Sequence, residues 1–437
     1  MRRIFDTSQP NLMRHVFPTH RVPRLSLAEG ALPVEVPQRA WLIEATLSQG
    51  ILALETPRAE QATRLLELLE LLDNESGLLR QLEVRVVNGM GRGLLEVAIE
   101  RLARAATGLT PVAVIAPEPE AVRGLEDLGL RGAGIEVGVS DFQTHLGRGG
   151  QRQALVASLT ATMDACLALG IQPRVDLLDV TRADLEGFLF PLVEACLEHL
   201  ARNGAAQLVL RLCDTLGLGL PWAEAPTPRS IPRLVHAVRG AMGLQPRQLE
   251  FLGANDLGLA LSNSLAALTA GCSGLVCALG GAGERGGVTP TELALIHLCG
   301  LYGAECDLTA LAPLLSGLAP LGLGVGDHHP LWGEEALTTS NLPADRPMDE
   351  VGELYAPFDT GRLLARAPRV EVRPGSGPAG IAHLLRGRFP SSRLLGRDER
   401  VQVLHRWVVE RGLRRVSWDV LEPKVRELMP ELFGEEG

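Results

Sequence analysis

Polar and charged residues recur at one point in the rhythm of this sequence, just after short apolar runs, and chemistry would be done there. Glu44, Thr46, Ser48 and Gln49 follow the first run, Asn88 the second, Ser140 and Asp141 the fourth, and Asp179, Thr181 and Arg182 the fifth. Cys213 and Asp214 follow the sixth, Asn255 and Asp256 the seventh, and Glu284 and Arg285 the eighth. Arg182, Arg211 and Arg285 could hold a small carboxylic acid, because a guanidinium offers paired N–H donors that match a carboxylate. Glu44, Asp179 and Asp214 could line the same mouth, and Ser48 or Cys213 could act as nucleophile with His145 as a distant base. Each of these residues has a plainer alternative as a solvated rim group or a structural ion pair.

The elements that must position them are short apolar runs, each followed by a longer segment of helical periodicity. Strands are expected near 41–45, 82–87, 111–115, 134–139, 173–178, 207–212, 249–253 and 274–279. Helices are expected near 60–72, 94–106, 118–128, 153–169, 185–202, 231–242, 257–270 and 291–301. Parallel strands need crossover helices, and closing the sheet leaves no edge, so this alternation predicts an α/β fold, a (β/α)8 TIM barrel. In such a barrel the residues at the C-terminal ends of the strands form the site. Residues 1–37 are proline-spaced and non-periodic and read as an N-terminal arm, residues 38–310 as the barrel, and residues 311–437 as a linker subdomain and helices forming a small C-terminal α+β/helical domain.

Composition narrows the classes. A formal net charge of −10 argues against general nucleic-acid binding, which needs clustered Lys and Arg. With 46% hydrophobic residues but no apolar run of about 18 residues, a large core is expected and no membrane span. The seven cysteines sit mostly inside apolar segments without CxxC spacing, as reduced core thiols would, and a cytoplasmic location is expected. The glycine clusters at 88–93 and 147–150 lack a dinucleotide-binding context and read as barrel loops. His328 and His329 read as an exposed loop.

The stretch 249–290 runs strand, helix, strand, polar loop, with Asn255, Asp256, Gly281, Gly283, Glu284 and Arg285 in fixed places. It resembles the acyl-CoA/2-oxo-acid condensing synthases, relatives of HMG-CoA lyase, whose corresponding segment reads HGHND, a helix, then GxGER. The segments VSDFQTHL, DVTRAD, RLCDTLGLGLP, PRSIPRLVHA, YAPFDTGRLLARAPRV and GSGPAGIA are similar to the same family in the same order, most of all to its Re-face citrate synthase branch. The resemblance implies the barrel, an acyltransferase ancestry, and Thr181, Arg182, Arg211, Asp214, Asn255, Asp256, Glu284 and Arg285 as substrate-binding positions.

The departures from that pattern are as specific as the matches. Where the family opens with D-x-T-x-R-D/E-G, this chain has Glu44-Ala45-Thr46-Leu47-Ser48-Gln49-Gly50, so the catalytic arginine is absent. Leu252 and Ala254 stand where the family's metal-ligating histidines would be, and neither side chain has a lone pair. Gly280, Leu178 and Asn341-Leu342-Pro343 replace a family asparagine, a glutamate and the motif carrying a catalytic histidine. A pseudoenzyme is therefore expected, with Glu44, Ser48 and Gln49 as degenerate catalytic positions, no cofactor and no divalent metal. Its expected partners are itself, as a homodimer, or an active paralogue. A rebuilt acyltransferase or lyase-type enzyme, and a small carboxylic acid sensor, are the alternatives.

Overall fold

The computed structural model describes residues 20, 34–50, 59–87, 90–104, 108–146, 152–204, 207–304, 306–318, 325–340, 352–413 and 416–434. Its contacts divide the chain into two compact units, with the change between Val325 and Gly326.

Eight parallel strands close the larger unit into a barrel in sequence order. They are β1 (Trp41–Glu44), β2 (Leu79–Arg85), β3 (Thr110–Ile115), β4 (Gly132–Gly138), β5 (Gln172–Leu178), β6 (Val209–Asp214), β7 (Leu249–Gly253) and β8 (Gly274–Cys277). Around them lie α1 (Ala59–Asp73), α2 (Arg92–Arg104), α3 (Pro119–Val122), α4 (Arg152–Ala168), α5 (Phe190–Arg202), α6 (Ile231–Met242), α7 (Ala260–Thr269) and α8 (Thr291–Tyr302), with α9 (Leu311–Leu318) packing on α1. The expected (β/α)8 architecture is present. Local signals explain the helix ends. Ser230 caps α6 by accepting from Arg233 N–H, a proline occupies its first turn, and Gly243 ends it in the left-handed region at φ 63°.

Two strands differ from expectation for the same physical reason, a charged barrel interior. β2 starts earlier than its apolar run because Gln81, Glu83 and Arg85 alternate with buried Leu82 and Val84, so period-two charge replaces period-two apolarity. β6 runs on to Asp214 and does not stop near 212, which places Arg211 in mid-strand and Cys213 and Asp214 at the strand's end.

Arg211 is the centre of the interior. Asp176 and Glu250 flank it in register on the neighbouring strands, and Glu83 reaches it from the opposite wall. Its Nη1 donates to Glu83 Oε2 at 2.9 Å and its Nη2 to Glu83 Oε1 at 2.5 Å and Glu250 Oε2 at 2.7 Å. Arg174 joins from β5, donating to Asp176 Oδ1 at 2.6 Å and Glu83 Oε1 at 2.7 Å. Gly134 on β4 makes the room, since a Cβ there would lie 2.2 Å from Arg174 Nη2. All five side chains are buried. Burial alone would raise the Glu83 pKa, but the guanidiniums of Arg211 and Arg174 outweigh it and bring it down to about 2 from the ordinary 4.5. Burial disfavours the Arg211 cation in turn, and Asp176, Glu83 and Glu250 hold its pKa well above the ordinary value.

The smaller unit is described by itself. A parallel two-stranded ribbon (Thr338–Thr339 with Arg369–Val370) accompanies helices Gly377–Arg388, Glu399–Glu410 and Trp418–Leu428. Its core joins Val372, Ile381, Leu385, Leu404, Leu421 and Val425, and is closed by Phe389 edge-on to Trp418 and Phe433 at 5.5 and 5.1 Å.

Arg211→Met strands buried carboxylates, so we expect it to lower unfolding stability by about 3–5 kcal/mol, read as a shifted urea midpoint. A loss within error would contradict the role given to the network. Because the Glu83 carboxyl titrates lower when folded, its contribution is present above about 4.5 and is lost as pH falls from there toward 2.

Candidate active site at the C-terminal mouth

Leu252, expected at a family histidine position, lies on β7, and its side chain joins Trp41, Ile43, Ala45, Cys213, Val276, Ala278 and Val288 in one apolar cluster. Leu178, expected at a family glutamate position, packs against the same cluster. Ala254 is buried beside them and bridges Val288 through the backbone. These side chains form an apolar plug on the β1, β6, β7 and β8 side of the barrel. Among the described residues no group of three or more His, Cys, Asp or Glu side chains is arranged to hold a metal ion. Divalent metal does not fit this donor set, because aliphatic side chains have nothing to share with a hard or borderline cation.

Glu44 does not line the mouth as expected. It is the residue after inward-facing Ile43, so it turns toward the helix layer, where Thr291 Oγ1 at the start of α8 donates to it at 2.5 Å and Thr46 N–H at 2.9 Å. Complete burial pushes its pKa up, and the hydroxyl and amide donors only partly offset that. Thr46 Oγ1 also accepts from Leu279 N–H at 2.8 Å, tying β1 to the segment after β8. Ser48 is buried with its hydroxyl on Ala45 O at 3.2 Å, and Gln49 is half-buried. Cys213 is not a poised nucleophile either, because burial drives its thiol pKa well above the ordinary value.

Asp214 and Thr181 are brought together, but as a brace. The Asp214 carboxylate accepts from Leu218 and Gly219 N–H at 2.9 Å each and from Thr181 Oγ1 at 3.0 Å, folding the loop after β6 over itself. Arg211, expected to bind a carboxylate, is inside the barrel with its donors taken by Glu83, Glu250 and Asp176. Arg182 and Arg285 do stand at the mouth. Arg182 grips Asp179 from Nε at 2.9 Å and Nη2 at 2.6 Å, and its guanidinium lies 4.0 Å from the Phe142 ring centroid. Asp179 holds the left-handed conformation at φ 64° and also accepts from Ser140 Oγ. Arg285 donates to Asp256 at 2.7 Å and to Thr215 O at 2.5 Å. Asn255 Oδ1 accepts from Ala260 N–H at 3.3 Å at the start of α7, and Glu284 is exposed beside Arg285. These polar residues knit neighbouring loops to one another.

A cavity of about 210 Å³ remains on the other side of this end, among Glu136, Gly138, Gln143, Thr144 and Leu178. Glu136 at its wall is paired with Arg85, so the cavity presents an acidic group and no free cation. Asn88, the side chain of His145 and residues 341–343 lie outside the described residues, as does all of the expected N-terminal arm apart from His20 and residues 34–37.

Comparison with known proteins agrees with this architecture. The HMGL-like family model matches residues 98–312. The 2-phosphinomethylmalate synthase of Streptomyces hygroscopicus is 33% identical over 438 residues, covering 97% of each chain. The citrate (Re)-synthase of Clostridium kluyveri is 27% identical over 454 residues, covering 99% of this chain and 96% of the relative. Among solved structures, the hydroxymethylglutaryl-CoA lyase of Pseudomonas aeruginosa superposes with a TM-score of 0.52 at 20% identity, covering 66% of this chain and 94% of that one, a likeness of fold alone.

The raised Glu44 pKa has a measurable sign. Its stabilising contribution is complete below the unfolded value of 4.5 and is lost as pH rises through the folded pKa. Glu44→Gln removes that titration, so we expect its urea midpoint, relative to wild type, to improve progressively with rising pH. A difference independent of pH would contradict a buried, titrating Glu44.

Proposed function

Because this chain belongs to the acyl-CoA/2-oxo-acid condensing synthase family with its HMGL-like barrel, we propose that it is a non-catalytic member, retained as a scaffold or regulatory subunit. The observation that carries the reading is the apolar plug of Leu252, Ile43, Cys213 and Val276 at the strand ends where a barrel enzyme keeps its reacting groups. Condensing an acyl thioester with a 2-oxo acid requires polarising the keto group, stabilising an enolate and moving a proton. Here the cluster offers neither a Lewis-acid site nor an oxyanion donor. The buried, raised-pKa carboxyl of Glu44 faces the helices and has no access to the mouth.

What remains fits assembly. The loops of this end are cross-braced by Asp214–Thr181, Ser140–Asp179 and Arg285–Asp256, which fixes their shape without bound substrate. On the same end Met90, Trp222 and Leu257 are 68%, 56% and 61% exposed, large apolar side chains of the kind a partner surface covers. The partner we propose is a second copy of this chain or an active relative, in the cytoplasm.

The identity to a protein named as a synthase favours one rival, an acyltransferase with a rebuilt, metal-independent site. In that reading the guanidinium of Arg182, already aligned on Asp179, would turn to hold the acid. The two readings separate in one assay. Incubated with acetyl-CoA and a panel of 2-oxo acids, with and without Mg²⁺ or Mn²⁺, the full chain is expected to release no free thiol above a no-protein control. Turnover that disappears in Arg182→Ala would overturn the non-catalytic reading. Light scattering of the purified chain, alone and mixed with an active relative, is expected to give a mass above that of one chain. A monomer under both conditions would contradict the assembly role.

A further inference from the structure

A cavity of about 350 Å³ opens at the opposite end of the barrel and is lined by the first residues of β1, β3, β4, β5 and β6. Four arginines surround it, Arg80, Arg131, Arg174 and Arg247, against one carboxylate, Glu250. That carboxylate is already engaged, accepting from Arg211 at 2.7 Å and paired with Arg174 at 3.4 Å. Arg80, Arg131 and Arg247 have no carboxylate partner among the described residues. On a chain of net charge −10, three unneutralised guanidiniums around one concavity are a local reversal of sign.

The pocket is built, not incidental. β2 pairs with β1 through a bulge, in which Leu42 faces Leu79 and Ile43 faces Gln81, leaving Arg80 as the extra residue. The bulge turns Arg80 onto Trp41, its guanidinium 5.0 Å from the ring centroid, so the cation is held at the pocket's edge. Trp41 lines the same space, and its indole Nε1 is buried without a hydrogen-bond partner, a rarity in native proteins. Gly274 keeps this corner open, since a Cβ there would lie 3.0 Å from Trp41 Nε1 and 2.8 Å from Glu250 Cγ. Val112, Pro173 and Val209 supply an apolar wall.

We infer that this N-terminal pocket binds a small organic polyanion, a compact body carrying two or three carboxylate or phosphate groups, gripped by Arg80, Arg131 and Arg247. The guanidiniums supply paired donors to the oxyanions, and the apolar wall receives the carbon skeleton. The site is independent of the mouth, and a chain that turned over acyl-CoA would carry it equally.

Calorimetric titration of the full chain with citrate, and separately with pyrophosphate, at constant ionic strength tests the inference. One saturable site per chain is expected for at least one of the two anions, and the stronger binder distinguishes carboxylate from phosphate chemistry. Arg131→Glu combined with Arg247→Glu is expected to weaken it about tenfold or more, while Arg182→Ala with Arg285→Ala leaves it unchanged. Both arginines of the first pair are exposed, so their circular dichroism spectra should match wild type, and Arg247→Ala alone, with a smaller loss of affinity, serves if the reversal does not fold. Trp41→Phe should abolish the ligand-induced change in tryptophan fluorescence. Absence of saturable binding by either anion, or binding lost in the mouth variants and kept in the pocket variants, overturns the inference.

Discussion

The barrel is built around a charge cluster, two arginines and three carboxylates sealed in its interior. A buried guanidinium is tolerable only where every N–H has an acceptor and the surrounding carboxylates compensate the lost hydration. Arg211 meets that condition by drawing partners from opposite walls, Glu83 from β2 and Glu250 from β7, so the ion pairs span the cylinder. Closure and electrostatics are therefore coupled. Moving β2 away from β5 and β6 would leave Glu83 charged and unpaired, which favours the closed barrel. Gly134 shows how tight the arrangement is, since one methyl group would collide with Arg174.

That cluster also divides the molecule functionally. It fills the interior on the β2, β5 and β6 side, while aliphatic side chains from β1, β7 and β8 fill the rest toward the strand ends. At the C-terminal end the described loops are braced by Asp214, Asp179 and Asp256. The N-terminal end, where barrels usually invest in stability alone, holds the larger cavity and the unneutralised arginines. Among the described residues, the arginines without a carboxylate partner around that cavity are Arg80, Arg131 and Arg247.

The sequence made the barrel legible because strand and helix periods alternate cleanly and the family motifs occur in order along nearly the whole chain. Leu252 and Ala254 were expected to offer no lone pair, and the structure buries both side chains, Leu252 within the apolar cluster. The charged interior was not. In β2 the charges Glu83 and Arg85 read as interruptions of an apolar run, and only the closed sheet reveals that they face Arg174, Arg211 and Glu136. Arg211 was expected at the mouth because β6 was ended two residues early, and so small an offset moves a side chain from solvent to the core. Glu44 misled in the other direction. Its place next to a strand end suggested the mouth, but strand alternation turns it outward to Thr291. The pocket of Arg80, Arg131 and Arg247 gathers residues from three separate segments, which no spacing could have announced.

The proposed non-catalytic reading rests on the apolar side chains packed at the strand ends of β7 and β8. Titration of Mn²⁺ into the full chain, followed by the electron paramagnetic resonance signal of free Mn²⁺ with and without a 2-oxo acid, tests it most directly. The account predicts a free-ion signal that rises in proportion to added metal under both conditions. Loss of one equivalent of signal per chain, deepened by the 2-oxo acid, would contradict it.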